Sequence, residues 1–178
     1  MPFTPVHTVM AYLLNGWQRK LSLPALMVGT MTSDLEIPFV WLSTGGLYNR
    51  LVLHSLLGAV FLGTLIAVLL TVFAYPIAVS SVFRLDKEEV EEKCHFSGML
   101  VFCCLVGALS HVLIDSLHHD FNPLLYPFVN ESFDAFVLKS TFVSPADLVS
   151  YPMLALLILI FILEIRKGRE GFWKRVFL

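Results

Sequence analysis

The sequence predicts an all-α fold: a polytopic membrane helical bundle with three clear transmembrane helices and two shorter N-terminal helices that either span or re-enter the bilayer. Hydrophobic residues make up 57% of the 178 and charged residues only 15%, where a soluble domain carries about 25% charged. Three segments, residues 51–83, 96–114 and 148–163, contain no Asp, Glu, Lys or Arg, and a helical crossing needs roughly 17–25 apolar residues. The length suits one integral-membrane domain over residues 1–178. A net charge of −2 without any basic stripe argues against a nucleic-acid partner.

The elements follow in chain order. The start, Met-Pro-Phe-Thr-Pro-Val-His7, lacks a positive n-region and a small-residue cleavage site, so it is expected to stay on the protein. Residues 5–18 and 21–33 are two short apolar helices joined by Arg19 and Lys20, with Pro5 after Thr4 and Pro24 after Ser22 suited to first turns. Residues 37–49 carry Pro38 and Gly45-Gly46 and read as a bent connection. In residues 51–83, Pro76 is expected to kink the helix or end it near Tyr75. Residues 86–93 form a solvated helical turn, with Lys87–Glu91 and Glu89–Lys93 at pairing distance. Residues 96–114 are the second span. The third, residues 148–163, is somewhat short, with Glu164 and Arg166 able to snorkel.

Charge sets the orientation. With the loop after residue 18, the loop after residue 83 and the C-terminus all cytoplasmic, Arg19, Lys20, Arg84, Lys87, Lys93, Arg166, Lys167, Arg169, Lys174 and Arg175 lie inside. Only Arg50 and Lys139 fall outside, the asymmetry that the positive-inside rule requires.

That topology gathers chemistry at one face. His111 and Asp115 are four apart and project together from the end of a span, with His118 continuing the stripe. Imidazole and carboxylate at a membrane helix end are costly unless something binds them, and a divalent cation is the expectation. His7 begins the first stretch, Asp34 ends the second and His54 begins the long span, so all five meet at the outer face. Ligation by His and Asp without cysteine suits zinc first, with manganese or iron(II) as alternatives. The ligands suffice for one ion or for two bridged by a carboxylate such as Asp115. His118 and His119 are candidate ligands of a second ion, partners of the ligands, or proton shuttles. Only one of them is expected to face inward if the helix persists. His95 falls at the cytoplasmic end, away from the group. Cys94, Cys103 and Cys104 show no metal-binding spacing and read as small buried hydrophobes.

These motifs resemble a family of bacterial and archaeal integral-membrane proteins, the membrane-bound metal-dependent hydrolases. The matching pieces are the N-terminal run ending at His7, Gly29-Thr-Met-Thr-Ser-Asp34-Leu-Glu36, His54-Ser-Leu-Leu-Gly58, His111-Val-Leu-Ile-Asp115-Ser-Leu-His118-His119 and Asn122-Pro-Leu-Leu-Tyr-Pro127. The order His, Asp, His, His-x-x-x-Asp is also similar to the zinc-binding skeleton of secreted bacterial phospholipase C and fungal single-strand nucleases. That similarity implies Asp34, His54, His111 and Asp115 around one ion, with His7 helping a second that Asp115 bridges. The later histidines of the soluble enzymes have no counterpart after His119, which limits the expectation to one or two ions.

The resulting expectation is a phosphoester hydrolase in a prokaryotic cell membrane, acting at the extracytoplasmic face on a lipid or lipid-linked substrate. Asp120 or His118 is the candidate general acid or base. Aromatic residues between 121 and 142 suit the headgroup zone. The rival readings are a non-catalytic protein with a structural metal site and an ion transporter. The middle of the long span offers only Thr64 and Thr71, which disfavours a conduction path.

Overall fold

A computed structural model of the chain describes residues 4–138 and 141–178. Residues 1–3 of the N-terminal motif and Lys139 of the charge pattern lie outside the described residues. The described residues are helical, with no strand among them, and three helices are long and apolar enough to cross a membrane.

A 3-10 turn, Thr4–His7, leads into α1 (Thr8–Trp17). Helix α2 (Leu23–Thr32) starts where Ser22 Oγ accepts the Ala25 N–H at 3.4 Å, with Pro24 in its first turn. A second 3-10 turn, Ser33–Glu36, carries the chain into α3 (Ile37–Ser43). The expected bent connection is thus partly helical: Pro38 sits in the first turn of α3, where its missing N–H costs nothing. The bend comes later, at Gly45 and Gly46, both at positive φ.

Helix α4 (Leu56–Phe83) is 28 residues long. It begins five residues later than residue 51, because residues 51–55 form a turn capped by Ser55, whose Oγ accepts the Gly58 N–H at 2.9 Å. Proline does not end it. A π-helical turn, Leu70–Ala74, directly precedes Pro76 and widens the ladder where the ring lacks a donor, so the helix runs on to Phe83. It stops at Arg84, which adopts φ 54°.

Helix α5 (Lys87–Lys93) is capped by Asp86, which accepts the Glu88 N–H at 2.9 Å. Lys87 and Glu91 pair at 3.3 Å. Glu89 pairs instead with Lys174, a tertiary partner that takes it from Lys93. Helix α6 (Gly98–Asp115) is the central span and α7 (Pro145–Arg166) a peripheral one: 44% of the apolar window of α6 is buried but only 6% of that of α7. Helix α7 exceeds the expected 16 residues because Ser144 caps it at Asp147 N (3.1 Å) and Pro145 opens it. Helix α8 (Phe172–Phe177) closes one end of the bundle, where Tyr12 and Tyr75 hydroxyls donate to the carbonyls of Val176 (2.9 Å) and Phe177 (2.8 Å).

The contact that sets the architecture is between α2 and α6. A Cβ on Gly29 would stand 2.5 Å from the Cys104 carbonyl oxygen, and one on Gly107 would stand 2.6 Å from that of Leu26 and 2.9 Å from Gly29 Cα. The two backbones touch, as helices in lipid do where small residues face each other. Leu26, Cys103 and Cys104, all fully buried, pack around this crossing. Arg19, Lys20, Lys93 and His95 line a shared cleft at the start of α6. Asp115 lies at its other end, about 27 Å away for 18 residues at helical rise.

Gly107→Ala should lower stability by about 1–3 kcal/mol through forced separation of α2 and α6, read as a fall in the thermal midpoint in detergent. Gly98→Ala, where nothing lies within 4 Å of the new Cβ, should cause no fall.

Candidate metal centre

Four backbone devices aim the side chains. The 3-10 turn after α2 presents Asp34 inward and turns Glu36 toward the start of α4. There Glu36 accepts the backbone N–H groups of Leu51 (2.8 Å), Leu53 (2.8 Å) and His54 (3.2 Å), and also the ring Nδ1–H of His54 at 2.8 Å. The glycine crossing brings the Thr30 carbonyl within 2.7 Å of His111 Nδ1, one residue beyond Gly29 and one helical turn beyond Gly107. At the end of α6 the helix gives way to a turn in which the N–H groups of His118 and His119 both reach the Asp115 carbonyl at 3.1 Å. Both rings therefore point inward. The expectation that only one would do so assumed a helix continuing past Asp115.

Asp115 is the focus. Its Oδ2 lies 3.4 Å from His111 Nε2, 3.5 Å from His54 Nε2 and 3.5 Å from His119 Nε2. Its Oδ1 lies 3.4 Å from His7 Nε2 and 3.9 Å from His118 Nε2. Asp34 Oδ1 completes one side, 3.4 Å from both His54 Nε2 and His111 Nε2. Ligand atoms about 2.0–2.1 Å from a tetrahedral ion stand about 3.3–3.4 Å from one another. The four carboxylate–imidazole edges joining Asp34 and Asp115 to His54 and His111, at 3.4–3.5 Å, are close to that length.

Among the described residues, two groups of side chains could hold an ion: Asp34, His54, His111 and Asp115, and Asp115, His118 and His119. Hydrogen bonding supports the first strongly. His54 and His111 donate from Nδ1 to Glu36 and to the Thr30 carbonyl, and His118 likewise donates to the Ile114 carbonyl at 2.9 Å. This turns Nε2 of each toward the centre as the atom that would bind an ion, the arrangement found at metal-binding histidines. Those three Nε2 atoms and both Asp115 oxygens are buried without a hydrogen-bond partner, a costly state for an ion-free pocket.

His119 differs. Its Nε2 accepts from Arg50 Nη2 at 3.1 Å, so its lone pair is engaged by a guanidinium. Arg50 Nε also stands 3.3 Å from Asp115 Oδ2. Arg50, His118, His119 and Asp120 line a cavity of about 320 Å³ that opens beside the centre. Asp120 is exposed at its rim. His95 is exposed and far from the cluster, donating to its own Glu92 carbonyl.

Electrostatics follow the same map. Burial opposes ionisation of Glu36, but His54 and the Leu51 and Leu53 amides hold it below the usual carboxylate range. Burial likewise opposes ionisation of Asp34, and His111 and His54 override it, so the group is a carboxylate. With no ion bound, burial would push His54 down, but Asp115, Asp34 and Glu36 lift it to about 9, so an ion binding at Nε2 would displace a proton. Burial and the neighbouring His111 push His7 down to about 3, which keeps it neutral with a lone pair to offer. Its ring stacks on His111 at 4.1 Å.

All of His7, Asp34, His54, His111, Asp115, His118 and His119 converge. The reading of the sequence assigned no role to Glu36, Arg50 or the Thr30 carbonyl. Arg50 carried a signal, since it breaks the charge asymmetry and lies four residues before His54. Glu36 stood next to Asp34 in the motif but could not be told from an ordinary helix-end acid. Glu36→Gln, which cannot orient His54 as a carboxylate does, should weaken zinc binding about 10–100-fold, measured by chelator competition.

A family model described as YdjM inner membrane protein matches residues 4–178. No curated protein and no solved structure matches the chain. The match runs over all but the first three residues and agrees with three helices able to cross a bilayer. On that ground the chain belongs to the YdjM inner membrane protein family.

Proposed function

We propose that this protein is a membrane-embedded, metal-dependent hydrolase of phosphoesters, acting on a lipid or lipid-linked substrate at the extracytoplasmic face. The observation that carries the reading is the set of buried, unpartnered ligand atoms on His54, His111, His118 and Asp115, with the Asp115 oxygens 3.4–3.9 Å from the three imidazole nitrogens and His118 lining a solvent-open cavity. Zinc fits the donor set best. Asp34, His54, His111 and Asp115 would hold one ion. His7 and His118, which face Asp115 Oδ1, would help to hold a second. When bound, such ions supply a Lewis acid for a phosphoryl oxygen and a water with its pKa drawn down to about 7.

The chain's own residues do the rest. Glu36, Thr30 and Ile114 fix the rings of His54, His111 and His118, so no reorganisation accompanies the reaction. Asp120, at the cavity rim, exchanges a proton with solvent and delivers it to the leaving oxygen. His119 holds Arg50. A lipid substrate is favoured by a second cavity, about 440 Å³, between α2 and α4. It is lined by Met27, Met31, Leu35, Leu70 and Ala74 and reaches Asp34, so an acyl chain entering from the bilayer side would bring its headgroup to the centre. Basic residues clustered at the opposite end of the bundle support a cytoplasmic C-terminus.

Transport is disfavoured because the hydroxyls of Thr64 and Thr71 are bound to their own helix, at the carbonyls of Ala59 (2.9 Å) and Ala67 (2.7 Å). A purely structural site is disfavoured because His118, one of the candidate ligands, lines an open cavity beside the centre.

Purified protein should carry one or two zinc ions per chain by element analysis. It should hydrolyse a chromogenic phosphodiester, with Asp115→Asn losing bound metal and at least about 100-fold in turnover and His95→Ala keeping both. Equal turnover by wild type and Asp115→Asn would refute the enzymatic reading.

A further inference from the structure

We infer that the cavity beside the centre is a binding subsite for a phosphoryl anion, with Arg50 as its recognition residue; this deepens the phosphoester reading above and rests on it. Arg50 is only 6% exposed, and a buried guanidinium is sustained only when its charge and donors are matched. Here they are not. Nε stands 3.3 Å from Asp115 yet makes no hydrogen bond, and Nη2 is spent on a His119 lone pair. Asp115 is also contested by His7, His54, His111, His118 and His119. Any cation held there takes the carboxylate from Arg50, which then retains a full positive charge and the donors not given to His119 beside the cavity.

A further feature of the same cavity agrees: it is lined by Ser144, Pro145 and Ala146, the start of the 22-residue α7, whose N-terminal end carries the positive pole of the helix dipole. Of the carboxylates on these segments, Asp120 is exposed and Asp147 accepts the Ser144 hydroxyl at 2.7 Å. A planar guanidinium takes two anion oxygens side by side. A phosphoryl group offers that pair and keeps a further oxygen for the ion beside Asp115, whereas a carboxylate has none left over.

The test uses the full chain in detergent micelles, zinc-loaded, titrated calorimetrically with inorganic phosphate, with acetate and with dioctanoyl phosphatidic acid. Arg50→Gln should weaken phosphate binding roughly 10–100-fold with bound zinc unchanged. Arg50→Lys, which keeps the charge but loses the fork, should fall between. Zinc-loaded Arg50→Gln binding phosphate as tightly as wild type would overturn the assignment, and so would acetate matching phosphate. Should Arg50→Gln fail to fold, Arg50→Lys decides alone: wild-type phosphate affinity overturns the assignment and a clear loss supports it. Zinc content is read separately, so a wild type that takes up no zinc defeats the metal reading, while the comparison of wild type and Arg50→Lys still judges the subsite. Phosphatidic acid binding at least tenfold tighter than phosphate identifies a lipid headgroup as the source, and equal affinity identifies the free anion. Either result supports the subsite.

Discussion

The end of the bundle that carries the candidate centre is organised around the Asp115 carboxylate. Five imidazoles and one guanidinium approach its two oxygens within 3.9 Å, yet neither oxygen has a hydrogen-bond partner. Contacts of 3.4–3.5 Å are longer than a charge-assisted N–H···O bond, so they describe atoms sharing a common target more than atoms bonded to one another. A divalent cation converts this costly arrangement into a satisfied one. The fixed outward nitrogens of His54, His111 and His118 are the counterpart: each ring is anchored at Nδ1 so that Nε2 has one direction to face.

That convergence depends in turn on how closely two helices approach. Because Gly29 and Gly107 let α2 and α6 touch at the backbone, the Thr30 carbonyl can anchor His111 and the turn after α2 can carry Asp34 to the end of α6. The same economy appears at the start of α4. Glu36 takes three backbone N–H groups as well as the His54 ring, so one carboxylate both ends the turn at residues 51–54 and orients a ligand. The loop that follows α6 is tied to the same region, with Asn122 donating to the His119 carbonyl at 2.9 Å and the Leu56 N–H reaching the Leu124 carbonyl at 3.0 Å. Fold and site are therefore one construction, in which the membrane-spanning helices supply rigidity and their ends around Asp115 supply chemistry.

Much of this was legible in the sequence, and for identifiable reasons. Long charge-free runs reveal spans because lipid tolerates no alternative, and the helical repeat pairs His111 with Asp115 directly. The charge asymmetry then brought His7, Asp34 and His54 to the same end. What escaped were features made by tertiary contact. The late start of α4 depends on Glu36, a residue 15 to 18 positions away from its partners. The passage of the helix through Pro76 depends on a π turn with no sequence mark. The inward aim of both His118 and His119 depends on where α6 ends, which periodicity does not fix. Arg50 looked like an ordinary surface cation and is instead buried against the centre.

X-ray absorption at the zinc edge of the purified, zinc-loaded protein tests the central claim most directly. The account predicts nitrogen and oxygen ligands only, at about 2.0–2.1 Å with imidazole scattering. Sulfur at about 2.3 Å would instead assign the ion to the buried cysteines, and zinc with the spectrum of the hydrated ion would mean that the cluster around Asp115 holds no metal.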